Sequence, residues 1–142
     1  MPIKKIDLKN TRKNGKKICE SYLSALEVLR LDLEDNYIFS TSVISVSSDQ
    51  KTENNIEKLY IEYSEEKLYQ SNPASIFLKM CSKISRINSQ CGIFLLNKYF
   101  YQRTEDVIQN DILDVPKREF LYIKNKSYEY VAHISDEVVY FN

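Results

Sequence analysis

Glycine is nearly absent from this 142-residue chain, with Gly15 and Gly92 its only two. Phosphate cradles need several glycines close together, because only a residue without a Cβ lets backbone N–H groups close around an anion. Gly-rich nucleotide-binding loops are therefore excluded. Histidine is scarcer still: His133 stands alone, so imidazole acid–base chemistry would have to pass through that one residue. The three cysteines, Cys19, Cys81 and Cys91, are odd in number and lack metal-ligand spacing. With a single histidine they leave no local zinc site. We expect reduced core thiols, a Cys81–Cys91 bridge being an option only in an oxidising compartment.

Long apolar runs are also missing. No stretch of about 18 apolar residues occurs, and Met1 to Lys17 lack the apolar core of a secretory signal. The expectation is a soluble, cytoplasmic protein with no membrane partner. Hydrophobic residues at 43% and charged residues at 28% are those of a folded globular chain rather than a disordered one. The length fits a single compact domain, 1–142, carrying a basic N-terminal arm, 1–17.

The periodicity of the chain predicts both helices and strands. Ile18, Tyr22, Ala25, Leu26, Leu29 and Leu33 recur at spacings of three and four, which predicts a helix from about Lys16 to Asp35. Asn72 before Pro73 is a good helix start, and Ile76, Phe77, Met80, Ile84 and Ile87 give a second helix a buried face, ending near Asn88. Thr104 is placed to cap a short third helix through about Leu113, with Glu105 and Asp106 in its first turn. Between these, β-branched and aromatic residues predict strands at 37–47, 56–64, 93–101, 120–124, 128–134 and 138–141, and the first residues read as a strand or arm. The fold class expected is α+β: a mainly antiparallel sheet of about five to six strands packed with two main helices and one short helix.

Charge is balanced overall but unevenly spread. Met1 to Lys17 hold Lys4, Lys5, Lys9, Arg12, Lys13, Lys16 and Lys17 against Asp7 alone. Ile18 to Glu66 hold eleven acids against Arg30, Lys51 and Lys58. Acids in pairs such as Glu34–Asp35, Glu65–Glu66, Glu105–Asp106 and Asp136–Glu137 lack the alternating oxygen ligands and central glycine of a calcium loop, so they are read as solvated turns and helix starts. No metal or cofactor is expected. The acidic middle would repel nucleic acid and attract a basic protein. Nucleic acid is accordingly an unlikely partner on sequence grounds, although the basic arm by itself suits phosphates.

These features, with no catalytic motif, predict a non-catalytic protein-binding domain. The most concrete form is a cytoplasmic immunity or inhibitor protein that covers the active site of a cognate basic toxin such as a nuclease. Tyrosines amid acids make a contact surface, since Tyr offers area at small entropic cost, and the expected contacts are Asp32, Glu34, Asp35, Glu57, Tyr60, Glu62, Glu65, Glu66 and Tyr69. A secretion chaperone or adaptor shares these features. A small enzyme using His133 with a carboxylate is the alternative from another class, with Glu129 and Val131 sharing the face of His133 on the expected strand.

Overall fold

The computed structural model describes residues 4–41 and 72–141, with side chains for 4–33 and 72–141. They form α1 (Leu8–Ser21), α2 (Leu23–Thr41), α3 (Pro73–Ile87), α4 (Ser89–Leu95), α5 (Glu105–Val107) and α6 (Lys117–Ile134). π-Helical stretches continue α4 over Leu96–Phe100 and α5 over Ile108–Leu113. The expected α+β fold is therefore wrong. Among the described residues there is no strand, and the β structure consists of one isolated antiparallel bridge, Ile6 to Tyr140.

The physical reason is that helical period overrode strand composition. In α6 the buried residues other than Glu129 are Phe120, Ile123, Ser127, Tyr128, Val131 and Ala132, spaced so that they fall on one side of a helix and on both sides of a strand. Its Tyr, Ile and Val content suggested strands at 120–124 and 128–134, but β-propensity is mostly a statement about the surface a residue packs on. The expected strand at 93–101 falls in α4 and its π continuation, where Phe94, Leu95, Tyr99 and Phe100 are buried. A run this apolar shows no clear period. Of the expected first strand, residues 37–41 belong to α2; its remainder and the expected strand 56–64 lie outside the described residues.

Local chemistry sets the helix ends. The Asn72 side chain accepts from the Ala74 N–H at 2.9 Å, Asn88 accepts from both Gln90 and Cys91, and Thr104 accepts from Val107. The first helix begins at Leu8 rather than Lys16, with the Asp7 carboxylate capping Asn10. It is interrupted at Tyr22, whose N–H bonds to Cys19 O at 3.1 Å. Beyond that break Leu26, Leu29 and Leu33 of α2 pack toward α3 and the stretch Leu96–Phe100. Phe77 lies at the centre, with ring centroids 5.5 Å from Tyr22 and 6.0 Å from Tyr99. Phe94 stacks edge-on against Phe120 and Tyr128.

Among the described residues the most extensive helix packing is between α1 and α6. A Cβ at Gly15 would sit inside the van der Waals envelope of the Tyr128 carbonyl, so the missing side chain lets two helix backbones meet. Alongside that contact, Thr11 hydrogen-bonds Val139 in both directions, from its hydroxyl to the carbonyl and from the Val139 N–H back at 3.0 Å. Asp7 N–H bonds to Val139 O and Phe141 N–H to Lys5 O. The two chain ends are thereby tied together across the start of α1.

Scarce glycine leaves its mark at turns. Gln102, Asp114 and Asp136 all occupy the left-handed region, with φ of 54°, 51° and 57°. Asp136 ends α6 in a Schellman motif: Glu137 N–H reaches Ala132 O at 2.8 Å and Asp136 N–H reaches His133 O at 3.3 Å. An L-residue there gives up roughly 1 kcal/mol relative to glycine. Asp136→Gly is thus expected to stabilise the protein by about 1 kcal/mol in urea unfolding. Gly15→Ala should do the opposite. Its helix-propensity gain of about 1 kcal/mol is outweighed by forcing α1 off a backbone carbonyl, so a net loss of about 2 kcal/mol is expected in the same assay.

Candidate functional site

The buried ionisable and nucleophilic groups are largely committed to the fold. Arg12 bridges to the buried Glu129 at 3.3 Å, fastening α1 to α6. Glu105, at the start of α5, takes Lys98 and Lys124 at once, the latter at 2.8 Å. The hydroxyls of Tyr99 and Tyr128 lie 2.8 Å apart inside the core. Burial above all pushes both phenols well above the ordinary tyrosine range, so they act as a neutral hydrogen-bonded pair. Cys19, Cys81 and Cys91 are free and buried. Burial raises all three thiols, the environment of an unreactive cysteine.

His133 does not share a face with Glu129 and Val131, as a strand would have required. It is exposed in the last turn of α6, while Glu129 is turned inward to Arg12 and Val131 is wholly buried. Among the described residues no group of three or more His, Cys, Asp or Glu is arranged to hold a metal ion. No helix among them is long and apolar enough to cross a membrane.

What remains is surface, and two helix faces stand out. The inner side of α2 is Leu26, Leu29 and Leu33; its outer side carries Val28, 59% exposed, and Leu31, 49% exposed, flanked by the exposed Glu27 and Asp32. Helices apolar on both sides are ordinarily covered on both. Of the contacts expected from sequence, Asp32 lies on this outer face. Glu34 and Asp35 follow on the backbone of α2, but their side chains, and Glu57, Tyr60, Glu62, Glu65, Glu66 and Tyr69 entirely, lie outside the described residues. Val28 and Leu31 were missed, and their signal was available: both are large apolar residues off the stripe that the helical period assigns to the core.

The second face belongs to α1. Lys9, Lys13, Lys16 and Lys17 recur at helical spacing and are all exposed, on the side opposite the buried Thr11, Gly15 and Cys19. None makes an ion pair among the described residues. Like charges at i,i+3 and i,i+4 each work against a helix by roughly 0.2–0.5 kcal/mol. Nor do the lysines serve the helix dipole: α1 has no acid in its first turn and no base in its last. The basic arm expected over 1–17 is thus mostly an ordered lysine row.

The Glu105 cluster gives a pH test of the interior. Burial by itself would raise the Glu105 carboxyl, but hydrogen bonds from Lys124 and Lys98 and their charges outweigh it, so the net shift is downward from 4.5. A depressed carboxyl contributes stability that is complete above its unfolded value and is lost as pH falls through its folded value. Glu105→Gln should therefore cost about 1 kcal/mol at pH 7. The gap between the two proteins should close below about pH 4 when thermal unfolding is followed across pH. Comparison of the chain with protein-family models, curated proteins and solved structures gives no match.

Proposed function

We propose that this protein is a non-catalytic helical binding domain whose outer α2 face docks a basic protein partner. The observation that carries the proposal is the exposed pair Val28 and Leu31 set between Glu27 and Asp32. An apolar centre with a charged rim is the anatomy of a protein contact surface. The two apolar side chains would supply affinity by leaving water, roughly 1–2 kcal/mol each given that half of each is already covered. The acids would select a basic partner and speed its approach. Nothing among the described residues selects a toxin over any other basic protein, so the partner is proposed by its chemistry alone.

The test is retention of one stoichiometric partner on the immobilised full chain, compared between wild type and surface variants. Val28→Ser with Leu31→Ser is expected to weaken that partner about 30-fold. Glu27→Lys with Asp32→Lys is expected to slow its association and to remove most of the salt dependence. Both variants should keep thermal stability within about 1 kcal/mol of wild type, because all four side chains are exposed. Unchanged binding in both would dismiss α2 as the docking face.

A further inference from the structure

We infer that the lysine row of α1 is a second, independent contact surface, one that engages the phosphate backbone of nucleic-acid duplex without reading sequence. On sequence grounds the acid-rich middle weighed against nucleic acid. Among the described residues, Lys9, Lys13, Lys16 and Lys17 project from α1, whereas Glu27 and Asp32 project from the helix beyond the Tyr22 break. Lys4 and Lys5, also exposed, precede the row, and Glu20 at its far end is the acid on its side of α1.

Three properties of the row fix the occupant. Its four lysines make no ion pair among the described residues and repel one another along the helix that carries them, with Glu20 the one acid beside them, so a polyanion would relieve that repulsion. It spans about 12 Å from Lys9 to Lys17, a length over which duplex carries roughly seven phosphate charges. And it contains only lysine, with no guanidinium fork, side-chain amide or aromatic ring among its four members, so it has point charges for phosphate and nothing to read a base edge. The same lack of an apolar side chain in the row argues against a lipid surface, because the apolar side of α1 is already spent on the core and nothing remains to insert.

The experiment uses the full-length protein and a labelled 30-base-pair duplex, titrated between about 50 and 200 mM salt. Four lysine–phosphate contacts predict a fall in affinity of roughly 100-fold over that range, equal for two unrelated sequences. Lys13→Gln with Lys17→Gln, which keeps good helix formers, is expected to lower the slope of log affinity against log salt by about 2 and leave circular dichroism unchanged. Glu27→Lys with Asp32→Lys serves to separate the two faces, since it should not reduce duplex binding. No duplex binding at 50 mM salt, an unchanged slope in the lysine variant, or capture by phosphatidylserine vesicles without capture by duplex would each overturn the inference.

Discussion

The approach of α1 to α6 at Gly15 is the constraint on which the rest of the described structure depends. Two helix backbones can touch only where a side chain is missing, and here Gly15 meets the Tyr128 carbonyl. That contact sets how α1 sits on α6, and the register brings Arg12 to Glu129 and Thr11 to Val139. The same orientation turns Cys19 inward and the lysines outward. A second close approach, Gly92 against the side chain of Ser85, joins α3 to α4. The two glycines of the chain are both spent on packing rather than on ligand-binding loops.

Because the interior claims its ionisable groups, what the described residues offer a partner lies on the surface. Glu129, Glu105, Tyr99 and Tyr128 each have a partner within the fold, and the three thiols are buried. By contrast, Val28, Leu31, Glu27 and Asp32 on α2 and the lysines on α1 are exposed and lie outside the core cluster and the ion pairs of the described residues. The two faces differ in kind. One has apolar centre and acidic rim and suits a folded partner; the other has charge without shape and suits a repeating polyanion.

Particular residues show where the sequence was legible. Asn72 with Pro73, and Thr104 ahead of Glu105, announced helix starts because a cap acts on N–H groups two or three residues away. The stripe Leu26, Leu29, Leu33 was equally plain. The failures have two causes. In 120–134 the β-branched and aromatic residues suggested strands while their positions carried a helical period, and in 93–101 the apolar run was too continuous to show any period. Ahead of the expected helix start at Lys16, where 1–17 reads as a basic arm, Thr11, Gly15 and Cys19 at intervals of four are the buried stripe of a helix.

The sequence by itself determined the charge segregation, the lack of glycine-rich loops, the solitary histidine and the caps, since each is a property of residue identity or of neighbours a few positions apart. Tertiary structure alone decided that Tyr128 faces Gly15, that residues 5 and 141 lie side by side, and that Glu129 is buried against Arg12 rather than paired with His133. Those outcomes join residues more than a hundred positions apart. They depend on how the apolar faces of separate helices fit together, and no local preference encodes that fit.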